Sequence, residues 1–386
     1  MTEQMLFLED VVSHLSLTQK ISGIFRSLFP RHCIPKTSSD DSAVILFTSG
    51  SEALPKMVPL SHRNILSDIR GTLATLPVSE NERLLVFLPP FHSFGLTAGI
   101  VLPLITGLPT IFTPNPTDPR AILRILRHTK ATALLTTPTF LNMILRESGE
   151  KGLPELHLII TGAEACRPEI FRRLSEKAPN AMLVEGYGIT ECSPVVSINP
   201  DPKRKSGSVG VPIQGVSLQI TDPENFSTLP NGTVGMILVS GDNVFSGYEP
   251  KSAVHPFIEK EGIRWYKTGD LGYLDADGFL FLTGRQRRFL KIGGEMASLP
   301  FLENILQNAF GNEEETTIAV EGRDDLPSPK IVLFATIDIP LDKANEALKK
   351  AGVSPLLRFS EVRNREKIPL LGSGKTDYKS LRAEIS

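Results

Sequence analysis

The sequence predicts an α/β protein built on a parallel sheet, with a β-rich segment and a small α+β domain behind it. Three observations predict this. Apolar runs alternate with helical patterns from Ser42 onward, tight turns crowd residues 207–281, and the texture changes after a basic stretch, 285–291. Strand–helix alternation is the pattern of a parallel sheet, and such sheets bind ligands outside the carboxyl ends of their strands.

Each element follows from its local pattern. Residues 43–47 (AVILF) read as a buried strand entering a Gly/Ser turn, and 84–88 (LLVFL) as a strand stopped by Pro89-Pro90. The longest apolar run, 96–112, is short for a membrane span and contains Gly99, Pro103, Gly107 and Pro109. It reads as a buried helix, a turn and a strand. A helix at 122–127 precedes a strand at 133–136. Residues 157–161 form a strand ending at Gly162, 169–177 a helix, and 181–184 a strand again. Pro230-Asn231-Gly232 and Asp275-Ala276-Asp277-Gly278 are turn sequences, so 207–281 reads as a β-rich subdomain. The domain boundary is expected near Arg287, dividing 1–286 from 287–386. The second part carries strands at 317–320 and 331–335, a helix at 341–351 and a Gly/Ser loop at 371–375.

Composition narrows the function classes. A chain of 386 residues suggests two or three units at roughly 150 residues per domain, and 41% hydrophobic residues suffice for a large core. The 41 Lys and Arg against 43 Asp and Glu leave a net charge of −2, so no global field recruits nucleic acid or anionic membrane. Cys33, Cys166 and Cys192 form no C-x-x-C pair, which suits three packed thiols in a reducing cytosol. Glu3, Glu9 and Asp10 interrupt any apolar leader. The expectation is a cytoplasmic protein, soluble or peripheral at the cytoplasmic face of a membrane.

Four segments carry candidate chemistry. In Thr48-Ser49-Gly50-Ser51-Glu52-Ala53-Leu54-Pro55-Lys56, hydroxyls and backbone N–H groups can cradle phosphate oxygens and Lys56 adds positive charge. It is not a Walker A loop, and an ordinary Ser/Gly surface turn competes with phosphate binding. In Glu185-Gly186-Tyr187-Gly188-Ile189-Thr190-Glu191, the glycines permit close backbone approach to a ligand, Tyr187 offers a stacking face, Thr190 a hydroxyl and Glu191 a hard oxygen ligand for Mg²⁺. A strand–turn–helix connection with a capping Thr is the competing reading. Tyr266-Lys267-Thr268-Gly269-Asp270 sets a carboxylate on a Gly turn, as a ribose diol needs, against a plain hairpin Asp. Phe91-His92-Ser93-Phe94-Gly95 follows Pro89-Pro90, where a lone His beside aromatics is ordinarily a core residue.

In this order the segments resemble the adenylate-forming superfamily of acyl-CoA synthetases, peptide-synthetase adenylation domains and luciferases. The resemblance implies an adenylate-forming fold with a parallel-sheet and β-subdomain N-terminal domain and a small α+β C-terminal lid. It implies that Thr48, Ser49, Gly50, Ser51 and Lys56 bind ATP phosphates and that His92 sits at the mouth of the acyl pocket. It sets Gly162, Ala163 and Glu164 beside the adenine and Tyr187, with Gly188, on the base. Thr190 contacts phosphate, Glu191 holds Mg²⁺, and Asp270 and Arg285 bind ribose. Arg287 falls at the hinge, Gly293-Gly294 on the thiol-tunnel face, and Lys375 matches the catalytic lysine.

The segments 47–52 (FTSGSE), 91–97 (FHSFGLT), 191–199 (ECSPVVSIN), 294–296 (GEM) and 369–375 (PLLGSGK) look like one branch of that superfamily. It is the acyl-[acyl-carrier-protein] synthetases, including the ligase half of the bacterial bifunctional acyltransferase/ligase. The implied reaction uses ATP and Mg²⁺ to join a fatty acid to adenylate, then passes the acyl group to the thiol of acyl carrier protein. A long-chain fatty acid–coenzyme A ligase, and a non-catalytic nucleotide-binding remnant, are the alternatives. Some residues depart from the superfamily pattern. Ala53 and Met57 stand where Gly is usual, Glu52 replaces a hydroxyl residue, and Arg287 stands where Asp is frequent. Only 47 residues precede Thr48, which implies an N-terminally shortened large domain whose sheet exposes an edge and apolar faces.

Overall fold

A computed structural model describes residues 15–29, 36–48, 56–76, 78–113, 115–199, 203–249, 255–285, 288–292, 295–311, 317–326, 328–370 and 376–385. Cys33, Ser49, Gly50, Ser51, Glu52, Ala53, Arg287, Gly293, Gly294 and Lys375 from the sequence reading lie outside the described residues. The chain divides into two units, Met1–Asp41 and Ser42–Ser386.

The first unit contains helix α1, Leu17–Leu28. Ser16 and Gln19 cap it reciprocally: the Ser16 hydroxyl accepts the Gln19 amide at 3.3 Å and Gln19 Oε1 accepts the Ser16 amide at 2.8 Å. Leu17, Ile21, Ile24, Phe25 and Leu28 recur at helical spacing, yet all are exposed and the helix buries none of its residues.

The second unit opens with a hairpin. β1, Ser42–Thr48, pairs antiparallel with β2, Lys56–Ser61, bringing Thr48 opposite Lys56. The expected buried strand at 43–47 is a correction: only Leu46 is buried there, while Ile45 and Phe47 are 44% and 61% exposed. Among the described residues β1 has one neighbouring strand, and its alternate residues point outward. Helix α2, His62–Thr75, starts from a capping pair between Ser61 and Asn64 and buries Asn64, Ile65, Asp68 and Ile69.

The seven-stranded sheet that follows positions the site. Its strands are β3 (Leu84–Val86), β4 (Thr110–Phe112), β5 (Ala133–Thr136), β6 (Leu158–Gly162), β7 (Met182–Gly188), β8 (Val195–Asn199) and β9 (Val211–Pro212), in the spatial order β4-β3-β5-β6-β7-β8-β9. Pairing is parallel from β4 through β7, and β8 and β9 join antiparallel. The parallel sheet inferred from strand–helix alternation is the one observed. Its helices are α3 (Pro119–Thr129), α4 (Pro138–Glu147) and α5 (Pro168–Lys177), each with Pro in its first turn. α3 turns Ile122, Leu123 and Leu126 inward, and each such aliphatic burial contributes about 1.5–3 kcal/mol. The run 93–106 is helical as expected and ends at Gly107, but Leu104 and Ile105 remain exposed, as does Phe112 on edge strand β4.

The β-rich segment is a five-stranded antiparallel sheet of β10 (Val216–Thr221), β11 (Gly235–Gly241), β12 (Phe257–Lys260), β13 (Ile263–Leu274) and β14 (Leu280–Arg285). Both expected turns form. Asp275 accepts the Asp277 and Phe279 amides at 2.9 Å each, and Gly232 and Gly278 take positive φ. Beyond Arg288, two strands, β15 (Phe289–Ile292) and β16 (Glu295–Ser298), precede helix α6 (Leu299–Phe310) and a three-stranded sheet of β17 (Ile318–Arg323), β18 (Lys330–Ala335) and β19 (Glu361–Asn364). These elements, with helix α7 (Leu341–Lys350), close over their own apolar core, including Leu302, Leu306, Leu333 and Leu348. No helix among the described residues is long and apolar enough to cross a membrane.

Candidate active site

The site forms where β6 and β7 end. Gly162 and Gly186 are paired across these strands. Ala163 follows with φ of 69°, a left-handed conformation rare for a residue with a Cβ, and leaves Ala163 and Glu164 exposed at the strand end. Glu164 is tied down by Thr139 at the start of α4, whose hydroxyl donates to Glu164 Oε2 at 2.5 Å. Gly188 is required by packing: a Cβ there would lie 2.3 Å from Pro194 O, where the chain returns.

Past Gly188, Thr190 and Glu191 sit in a short 3₁₀ turn. The Ser93 and Thr190 hydroxyls are 3.2 Å apart, so the segment after Pro89-Pro90 meets this turn directly. Gly95 lets this segment fold back on Pro89, since a Cβ would lie 2.2 Å from Pro89 O. Glu191 is buried, and its Oε1 accepts the Tyr248 hydroxyl at 2.7 Å. Tyr248 and Tyr266 share a hydroxyl contact of 3.0 Å, and burial pushes both phenols above their ordinary range, with Glu191 adding to the effect. Lys56 stands over the Tyr248 ring, 5.0 Å from its centre, and the Glu249 amide donates to Met57 O at 3.1 Å. The hairpin carrying Thr48 and Lys56 is thereby brought to the segment that holds Glu191.

A second polar cluster flanks the first. Tyr187 is buried and donates to Asp270 Oδ2 at 2.6 Å, and Arg285 Nε donates to Asp270 Oδ1 at 3.0 Å. Burial, then the Asp270 charge, raises the Tyr187 phenol well above its ordinary range, so it remains a donor. Register explains the Asp270–Arg285 pair, because the two residues face each other across β13 and β14.

Of the sequence candidates, Thr190, Glu191 and Lys56 converge around Tyr248, and Tyr187, Asp270 and Arg285 form a second, linked set. His92 is exposed, N-terminal to the helix starting at Ser93, with its ring 4.6 Å from Phe91; it is not a core histidine. Ser93 and Tyr266 lie inside two of the four sequence segments without a role of their own there, whereas Tyr248 and Thr139 lie in none of them, Tyr248 57 residues beyond Glu191.

Among the described residues no group of three or more His, Cys, Asp or Glu is placed to hold a metal ion. A cation such as Mg²⁺ takes one or two carboxylates and completes its shell with water and substrate phosphates. Glu191, with the Thr190 hydroxyl in the same turn, would be the residue to hold such a cation and orient it toward phosphate.

Residues 7–249 match the model of the AMP-binding enzyme family. The chain belongs to that family. It is 35% identical over 272 residues to the oxalate–CoA ligase of Saccharomyces cerevisiae, covering 69% of this chain and 49% of that one. It is 27% identical over 356 residues to the long-chain-fatty-acid–CoA ligase of Salmonella typhimurium, covering 91% of this chain and 63% of that one. The chain thus spans less than two thirds of the length of either relative. Among solved structures it resembles ATP-bound MatB of Rhodopseudomonas palustris, with a TM-score of 0.79 and 28% identity over 90% of this chain and 69% of that one. The fold is the adenylate-forming fold, with its parallel sheet and β-rich subdomain.

Proposed function

We propose that this protein is an acid–thiol ligase that activates a fatty acid with ATP and passes the acyl group to acyl carrier protein. The observation that carries the reading is the convergence of Thr190, Glu191, Tyr248 and Lys56 beside the Tyr187–Asp270–Arg285 cluster at the carboxyl ends of β6 and β7. In this reading Thr48 and Lys56 bind the triphosphate with Ser49, Gly50 and Ser51. Gly162, Ala163 and Glu164 border the adenine, Tyr187 and Gly188 lie against the base, and Asp270 and Arg285 orient the ribose. Thr190 binds phosphate and Glu191 holds Mg²⁺, which would supply charge neutralisation of the phosphates. His92 borders the acyl channel.

The chemistry asked of these residues is mainly positioning and electrostatics. A carboxylate attacking a phosphorus meets a negatively charged centre, so cationic and N–H groups must screen the repulsion while the reactants are held in line. Lys56 and Lys375 carry positive charge for this. We place residues 287–386 as the lid that brings Lys375 in, with a turn at Arg287 between the two half-reactions. The acceptor thiol then attacks the acyl-adenylate carbonyl and releases AMP.

The branch motifs at 91–97, 191–199 and 369–375 favour acyl carrier protein, whereas the names of the two ligase relatives favour coenzyme A as acceptor. Fatty-acid-dependent ATP–pyrophosphate exchange, followed by a choice between the two acceptors, decides. Exchange that Glu191→Gln lowers by about 100-fold or more is expected, with acyl transfer to carrier protein. Absence of exchange with any fatty acid would leave only nucleotide binding, and transfer to coenzyme A alone would give the second reading.

A further inference from the structure

Beyond Arg287, three elements meet at one half-buried carboxylate that the proposed reaction does not use. Glu303 lies on α6, and three donors converge on it. Arg288 Nη2 donates to its Oε2 at 2.9 Å, and the Val320 amide donates to the same oxygen at 2.8 Å. The Tyr378 hydroxyl donates to Oε1 at 2.7 Å. Arg288 Nη2 spends its second hydrogen on Val320 O at 2.6 Å, and its guanidinium lies 3.5 Å from the centre of the Tyr378 ring. A guanidinium stacked on a ring and bonded to a carboxylate is held in one orientation. Among the described residues β17 has one neighbouring strand, β18. Glu303 and Arg288 cover its other edge and satisfy both backbone groups of Val320 there.

The donors come from distant parts of the chain. Arg288 lies 15 residues before Glu303, and Tyr378 75 residues after it. The first directly follows Arg287, and the second opens helix α8 (Tyr378–Ala383), three residues after Lys375. The chain on either side of the Lys375 segment is bridged: the Asp377 amide donates to Pro369 O at 2.8 Å, and Leu370 pairs with Thr376. Leu381 on α8 is buried with Ala319, Val332 and Phe334 of the sheet. That apolar contact holds α8 down but has no direction of its own; the Tyr378–Glu303 bond supplies one. A plain ion pair between α6 and the sheet edge would need Arg288 alone. Tyr378 makes Glu303 a junction between the chain that follows Arg287 and the chain that follows Lys375.

We propose that Glu303 is a positioning residue for the adenylation half-reaction: it ties Arg288 to Tyr378, so that a turn at Arg287 carries the base of the Lys375 segment with it as one piece. Glu303 touches no reactant in this scheme. It acts through Tyr378 and the bridge between Pro369 and Asp377. In-line attack of a carboxylate on phosphorus tolerates little misplacement of the cation that screens it, and a shift of about 1 Å costs on the order of 100-fold. The acceptor thiol attacks a carbonyl that carries no such charge, so loss of the junction should spare the transfer step. Glu321 stands 3.7 Å from Arg288 Nε, so Arg288 keeps an anion nearby when Glu303 is replaced. The positioning role rests on the reading of Arg287 and Lys375 given above; the junction itself does not.

Three variants of the full chain test this. Tyr378→Phe removes one hydroxyl and keeps the ring beneath Arg288, Glu303→Ala removes the whole junction, and Glu303→Gln keeps its shape. Tyr378→Phe is expected to lose about tenfold in kcat for fatty-acid-dependent ATP–pyrophosphate exchange, with both KM values within about twofold of wild type. Glu303→Ala is expected to lose about 100-fold, of which Glu303→Gln recovers about tenfold. Transfer from presynthesised acyl-adenylate to the thiol acceptor is expected to stay within about twofold of wild type in all three. Deuterium uptake at the Asp377 amide is expected to quicken about tenfold in Tyr378→Phe, because its bond to Pro369 O opens more often. Equal loss in the two half-reactions, the result of a merely structural role, overturns the proposal, as does unchanged exchange in a folded Glu303→Ala protein. Should Glu303→Ala fail to fold, Tyr378→Phe still decides. Pyrophosphate exchange unaffected by Lys375→Ala would remove the reading of Lys375, and the positioning role with it, while uptake at Asp377 still reports on the junction. Unchanged uptake in Tyr378→Phe would remove the junction.

Discussion

Asp270 and Asp68 are both buried aspartates, and the protein surrounds them in different ways. Asp270 is 6% exposed and keeps two charge-assisted partners, Arg285 at 3.0 Å and Tyr187 at 2.6 Å. Asp68 accepts the Val195 amide at 2.8 Å, and among the described residues no cation is paired with it. The first environment suits a carboxylate facing ligand hydroxyls; in the second, burial pushes the carboxyl well above the ordinary carboxylate range. The difference teaches that burial alone does not set the role of an acid. What decides is whether the surrounding elements deliver a cation or only neutral dipoles.

The comparison can be broken most forcefully at Asp270. Asp270→Ala strips the partner from both Arg285 and the Tyr187 hydroxyl. Hydrogen bonds to charged groups contribute about 1.5–3 kcal/mol each, so kcat/KM for ATP is expected to fall roughly 100-fold. Steady-state exchange kinetics check this, and a change below about tenfold would make Asp270 a structural aspartate like Asp68.

Glu185 sharpens the contrast as an intermediate case. Burial raises its carboxyl from 4.5 to about 7, and Arg204, only 3.8 Å away, opposes this incompletely. The folded state holds this proton more tightly than the unfolded chain. Its contribution to stability is therefore full below pH 4.5, declines between pH 4.5 and 7, and is gone above about pH 7. The slope approaches ~1.4 kcal/mol per pH unit in that window. Glu185→Gln should flatten the curve of melting temperature against pH there. An unchanged curve would mean that Arg204 pairs with Glu185 more closely in solution.

The smallest expected effect is at Tyr248. Tyr248→Phe removes one hydroxyl from Glu191 while leaving the ring beneath Lys56. Losing an orienting hydrogen bond on the carboxylate proposed to hold Mg²⁺ should raise the Mg²⁺ concentration for half-maximal exchange by about tenfold, with fatty-acid KM little changed. Titration of exchange against Mg²⁺ at fixed ATP tests it. A shift in fatty-acid KM instead would move Tyr248 to the acyl side of the site.

Much of the fold was legible because its patterns are local. The runs at 133–136 and 157–161 read as buried strands for the same reason they form β5 and β6: short, apolar and bounded by helices. The turn at Asp275 was legible because its hydrogen bonds lie within four residues. The strand at 43–47 misled, since an apolar run is the same whether it has two neighbours or one. Helix α1 makes the same point. Its apolar spacing matches that of α3, but α3 buries Ile122, Leu123 and Leu126 while α1 buries nothing.

By itself the sequence determined the order of strands and helices, the turns, and the candidate residues that lie close to a motif, such as Thr190 and Glu191. Those features depend on periodicity, side-chain shape and short-range hydrogen bonding, which a linear string records. Only the tertiary structure decided that Tyr248 reaches Glu191, that Arg285 faces Asp270 across β13 and β14, and that the Val195 amide reaches Asp68 from 127 residues away. Desolvation and pairing depend on what surrounds a group in three dimensions, and the elements around these acids come from distant parts of the chain.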